Sequence, residues 1–132
     1  MGKHLVFVYG TLRRGGVRAM PELFPDSEFV GGASVRGSLF DFGSYPGLLP
    51  DGAGSPVAGE VYEVGEEVLR KLDDIEAPAH YSRREVEVSL GGRGVTCWVY
   101  EPELSLYPSR TLITSGDWIE YAATKTEWPE DS

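Results

Sequence analysis

The sequence predicts an α+β fold: a small mixed, mostly antiparallel β-barrel with one principal helix. Short β-branched or aromatic runs are bounded by glycine and proline, a cleanly alternating pair of segments flanks a Gly-Gly-Arg-Gly turn, and one stretch alone repeats apolar residues at helical spacing. Hairpin-like neighbours with a single inserted helix differ from the strict strand–helix alternation of a parallel sheet. A chain of 132 residues fits one domain, and one of this size buries roughly 68% of its extended surface. We assign residues 1–125 to that domain and 126–132 to an acidic C-terminal tail.

Leu5, Val6, Phe7, Val8 and Tyr9 form an unbroken apolar run that predicts a first strand buried on both faces, ending in a glycine-rich turn. VRAMPELF then suggests a short helical turn broken around Pro21. From Phe29 to Phe42 the loose alternation of Val35, Gly37 and Leu39 with Arg36, Ser38 and Phe40 predicts one or two strands with a glycine bulge. Residues 43–56, crowded with glycine and proline, read as a surface loop without a regular element. VAGEVYEV, residues 57–64, resumes as a strand. The clearest helix covers 66–76, where Val68, Leu69, Leu72 and Ile75 share a face, two acids occupy the first turn and Pro78 stops it. RREVEVSL (83–90) and GVTCWVY pair as a hairpin through GGRG. A last short helix begins near Asp117.

Composition narrows the function. A net charge of −9, from 21 acidic and 12 basic residues, repels nucleic-acid phosphates and anionic membrane surfaces, so neither is an expected partner. The apolar start is too short for a signal-peptide core or a membrane span, which reads as a cytoplasmic protein. The lone Cys97 excludes an internal disulfide, and its alternation with Val95 and Val99 suits a core strand residue better than a nucleophile. His4 and His80 lack a ligand-spaced companion, so no metal site is expected.

One carboxylate stands out. On a wheel of 100° per residue starting at Val68, Leu72 falls near about 40°, Leu69 near about 100° and Glu76 near about 80°. Glu76 therefore lies between two leucines on the buried face, whereas Asp73 and Asp74 point toward the rim and solvent. Burial and the negative end of the helix dipole both favour the protonated acid, a condition suited to general acid–base work. A helix that frays at Ala77 would instead leave Glu76 solvated. Tyr81 and Arg83 share strand parity just downstream and would orient a substrate or Glu76; the plainer alternative is an exposed tyrosine and an arginine paired with local acids.

At Tyr9-Gly10-Thr11-Leu12, backbone N–H groups after a buried strand can cradle a small anion. GTLRRGG lacks the lysine–hydroxyl pair of a phosphate loop and the spacing of a dinucleotide turn, so a carboxylate fits better than a nucleotide, with Arg13 and Arg14 supplying field. Alone, a glycine at a strand-to-turn junction more often marks a simple turn than an anion site.

Taken in order, VFVYGTLRRG, SYPGLLP, VAGEVYEV, LDDIEAPAHYSRREVEV, CWVY and SGDWIEY resemble the γ-glutamylcyclotransferase-like family, which includes the γ-glutamylamine cyclotransferase and AIG2-like proteins. The resemblance covers nearly the whole chain; YGTL at 9–12 and LDDIE with the following YSR at 72–83 are its most diagnostic parts. It implies a cavity that binds a small-molecule γ-glutamyl substrate, the backbone of Tyr9, Gly10, Thr11 and Leu12 holding the glutamyl group. It also implies Glu76 as catalytic acid/base in an intramolecular cyclisation that releases 5-oxoproline and an amine or amino acid, an acyltransferase- or lyase-type reaction requiring no cofactor. Tyr81 matches the motif as a substrate contact; Tyr45, Tyr100 and Arg83 are further pocket candidates. At Val17-Arg18-Ala19-Met20 the chain departs from the asparagine many members carry near that turn, so the resemblance does not fix the leaving group. A non-catalytic γ-glutamyl-binding or interaction module is the alternative, though loss of the acid would mark it and Glu76 is present. A generic hydrolase reading lacks a Ser/His/Asp or Cys/His constellation.

Overall fold

Strand β1 (Lys3–Val8) sends Phe7 into one hydrophobic cluster and Val6 and Val8 into another. Such two-sided burial is what its unbroken apolar run demands. The computed structural model describes residues 2–16, 18–126 and 128–129. After β1 come α1 (Met20–Leu23), β2 (Glu28–Asp41), β3 (Pro46–Pro50), β4 (Ser55–Gly65), α2 (Glu66–Glu76), β5 (Tyr81–Leu90), β6 (Arg93–Pro102), β7 (Thr111–Leu112) and α3 (Trp118–Thr124).

The ring β2-β4-β1-β6-β5 closes through a β2–β5 pairing, and only β1–β6 is parallel. The expected mixed barrel is therefore five strands round, with β3 and β7 added to β2. All five ring strands contribute to one cluster, through Phe7, Val35, Val61, Val88, Cys97 and Val99, so that cluster is the barrel interior. Val6, Val8, Tyr62 and Val64 form the opposite face with Leu69 and Leu72 of α2. Fully burying a leucine such as Leu72 contributes about 1.5–3 kcal/mol, enough to hold this helix against the barrel.

The β2 register slips between Phe29 and Gly31, which is the anticipated bulge, and β2 is one continuous strand. The β5–β6 hairpin turns through Gly91 and Gly92 at φ 58° and 84°, as a two-residue turn requires.

Two expectations are corrected. Residues 43–56 are not all loop: Pro46–Pro50 is an edge strand paired with Gly37–Asp41, its prolines at the two ends where a missing N–H costs no central ladder bond. Pro21 opens α1 rather than breaking it, since the first turn needs no N–H from that residue. The helix expected over 66–76 ends before Pro78 as anticipated; Pro78 itself sits in a 3₁₀ turn, Ala77–Ala79, and His80 at φ 62° redirects the chain into β5. At the C-terminus Asp117 caps α3 by accepting from the Glu120 N–H at 3.1 Å. Trp128, within the expected tail, packs edge-on against Trp118; residues 127 and 130–132 lie outside the described residues.

Candidate functional site

Glu76 is the last residue of α2 and is 7% exposed, the helix burying it beside Leu69 and Leu72. The helix does not fray there: the Ala77 N–H still bonds the Asp73 carbonyl. Burial raises the Glu76 pKa above the ordinary carboxylate value, and the positive charge of Arg18 opposes the rise. Among the described residues its carboxyl accepts no hydrogen bond, and its oxygens are not sealed in protein. They open on a cavity of about 240 Å³.

The same cavity is lined by Tyr9, Gly10, Thr11 and Leu12 at the end of β1, so turn and helix end meet in space. Among the described residues, the N–H groups of Gly10, Thr11 and Leu12 donate to no carbonyl, while the Gly10, Thr11 and Leu12 carbonyls accept from Arg13, Arg18 and Met20. The turn is thereby folded with free donors left over. Gly10 has a packing reason as well: a Cβ there would stand 2.5 Å from Pro46 Cγ. β3, the strand concealed in the proline-rich stretch, is thus the wall that fixes the turn.

Tyrosines form the remaining polar wall. Tyr81 donates to the Pro46 carbonyl at 2.7 Å, Tyr9 to the Tyr100 carbonyl at 2.7 Å, and Tyr100 to Asp73 at 2.6 Å. Tyr45 shares a 3.1 Å hydrogen bond with Tyr107. Burial raises the pKa values of Tyr9, Tyr81 and Tyr100, so these phenols stay protonated and structural. Among the described residues lining the cavity, Tyr9, Tyr45, Tyr81 and Tyr100 all have hydrogen-bond partners, whereas Glu76 accepts no hydrogen bond and has only the Arg18 guanidinium beside it at 3.9 Å.

Tyr45, Tyr81 and Tyr100 line the cavity and Arg83 does not. Arg83 bonds Asp73 at 2.8 Å and lies over the Trp98 ring, so Asp73, partly exposed at the rim as expected, also holds a partner there. Arg13 and Arg14 are also turned elsewhere. Arg13 bridges Glu60 at 3.3 Å and Asp117 at 2.9 Å; Arg14 stacks on Phe29.

Two contributors escape a sequence reading. Glu60, 7% exposed on β4, accepts the Arg14 backbone N–H at 3.0 Å and the Tyr62 hydroxyl at 2.9 Å, tying the turn to the barrel. Its strand parity with Tyr62 was the available signal. Arg18 donates to the Thr11 hydroxyl at 3.2 Å and stands 3.9 Å from Glu76. No periodicity marks it, because it lies in a turn. His4 bonds Glu66 at 2.7 Å, and burial pushes the Cys97 thiol pKa up to about 11, which suits an inert core residue.

The sequence pattern of the family described as "Gamma-glutamyl cyclotransferase, AIG2-like" matches residues 6–120. The chain is 40% identical over 126 residues to a gamma-L-glutamyl-butirosin B gamma-glutamyl cyclotransferase of Niallia circulans, covering 88% of this chain and 76% of that one. It is 36% identical over 115 residues to a gamma-glutamylaminecyclotransferase of Rattus norvegicus, covering 72% and 75%. The crystal structure of an AIG2-like protein from Mus musculus superposes with a TM-score of 0.73 at 29% identity, covering 89% of each chain. The chain belongs to the gamma-glutamyl cyclotransferase, AIG2-like family.

Proposed function

We propose that this family member converts a γ-glutamyl amine or γ-glutamyl amino acid to 5-oxoproline and the free amine, with Glu76 as general acid/base. The observation that carries the reading is a buried carboxyl that accepts no hydrogen bond among the described residues, sharing a cavity with a turn whose Gly10, Thr11 and Leu12 N–H groups donate to no carbonyl there.

The turn holds the glutamyl carboxylate through those N–H groups, and the chain folds back on itself. Glu76 takes a proton from the α-ammonium, and the freed nitrogen attacks the γ-carbonyl carbon to form the five-membered ring. The tetrahedral intermediate collapses with cleavage of the original amide C–N bond, and Glu76 returns the proton to the departing nitrogen. The attacking nitrogen loses two protons in all and the departing one gains two, so the acid must cycle between its forms. A raised pKa allows that, while Arg18 keeps enough of the ionised form to start the cycle. Because nucleophile and electrophile belong to one molecule, the site supplies folding and proton movement more than approach.

The test is 5-oxoproline release from γ-glutamyl amines and dipeptides by the native chain and by Glu76→Gln. Loss in the variant supports the reading; equal activity removes Glu76 from the role. γ-Glutamyl compounds that raise the melting temperature without turnover would favour a binding module.

A further inference from the structure

Among the described residues lining the cavity, Arg18 is the one cation and Glu76 the one anion. They occupy different depths. The Glu76 side chain is 10% exposed, whereas the Arg18 side chain is 41% exposed, which sets its guanidinium on the solvent side of the acid. Its Nε and Nη2 both donate to the Thr11 hydroxyl, at 3.3 and 3.2 Å, which fixes the fork in place. Only one hydroxyl is engaged, so most of the five guanidinium donors remain free for a ligand.

From this geometry we propose that Arg18 reads a carboxylate on the leaving group, so the chain takes γ-glutamyl amino acids in preference to γ-glutamyl amines. The inference rests on the cyclotransferase reading. In that reaction the departing nitrogen sits at Glu76, and its substituent runs outward toward the mouth. The group standing beside that exit is Arg18, 3.9 Å from the Glu76 carboxyl. An amino acid leaving group places its carboxylate two bonds from the departing nitrogen, within reach of a guanidinium at that distance, and carboxylate–guanidinium pairs are strong and directional. A leaving group with a free ammonium meets a like charge instead, and the lining offers it no carboxylate beyond the reacting one. The side chain beyond would rest on Ile75, Pro78 and Ala79, an apolar shelf. The overall charge of −9 does not oppose this choice, because exposed charges beyond about 8 Å are screened at physiological ionic strength.

Three substrates of similar size separate the possibilities: γ-glutamyl-alanine, γ-glutamyl-ethylamide without the carboxylate, and γ-glutamyl-putrescine with a distal ammonium. The native chain is expected to prefer them in that order, with about tenfold or more in kcat/KM between the first two. Arg18→Gln should lower kcat/KM for γ-glutamyl-alanine about tenfold more than for γ-glutamyl-ethylamide, the extra loss falling mainly on KM. A native chain indifferent to the carboxylate, or a variant that loses all three substrates alike, overturns the proposal. Dissociation constants for the same panel with Glu76→Gln read the preference without turnover. Absence of 5-oxoproline with every substrate would sink the cyclotransferase reading, and the order of those constants would still decide the role of Arg18.

Discussion

The Arg18 guanidinium stands 3.9 Å from the Glu76 carboxyl, close enough to hold down a pKa that burial pushes up. In the proposed reaction Glu76 must be ionised to accept the first proton, so activity is expected to fall on the acid side as it protonates. Removing Arg18 leaves the burial effect unopposed. In Arg18→Gln the acidic limb of the kcat profile should move to higher pH, measured with γ-glutamyl-ethylamide to avoid the leaving-group carboxylate. An unmoved limb would mean that Arg18 does not tune the acid.

Glu76→Gln should lower 5-oxoproline release by about 10²–10⁴-fold, the span of general acid–base catalysis. Its stability should change in the opposite sense at neutral pH. The folded-state pKa of Glu76 is raised, so its contribution is fully present below the unfolded value and is lost as pH rises through the folded value. The glutamine variant is therefore expected to melt above the native chain at pH 7. That gap should close as pH falls below the ordinary glutamate range, and thermal melts across pH check it.

Gly10→Ala places a methyl 2.5 Å from Pro46 Cγ, and neither the proline ring nor β3 has a free rotamer with which to yield. Overpacking of this kind costs about 1–3 kcal/mol. Urea denaturation should show a lower midpoint with an unchanged slope. Because the shift falls on the turn itself, KM should rise too; a variant with native KM would detach the turn from substrate binding.

Glu60→Ala removes the acceptor of the Arg14 N–H and the Tyr62 hydroxyl and one of two carboxylates on Arg13. Breaking such a buried set is expected to cost about 3 kcal/mol. The loss should appear in the denaturation midpoint, and γ-glutamyl substrates should stabilise the variant less than the native chain. An unaffected turn would show equal thermal shifts.

Much of this was legible in one dimension. The alternation of Val35, Gly37 and Leu39, the helical spacing of Val68, Leu69, Leu72 and Ile75, and the double glycine at 91–92 specify strand, helix and hairpin by local periodicity and backbone freedom. Glu76 appeared on the buried arc for the same reason. β3 was hidden because its prolines signal a loop locally, and only pairing with β2 reveals that an edge position tolerates them.

By itself, then, the sequence determined most of the element types, the two-sided burial of β1 and the place of Glu76 on the apolar arc of its helix, all consequences of short-range pattern and of each residue's preference for water; that the helix holds Glu76 there without fraying was decided by the fold. Tertiary structure alone decided which charges remain available. Arg13 is consumed by Glu60 and Asp117, Arg14 by Phe29 and Arg83 by Asp73, while Arg18 is left at the cavity mouth. The partners of these four cations lie up to 104 positions away along the chain, and a side chain's electrostatic partner is set by distance in space, to which spacing along the chain gives no access.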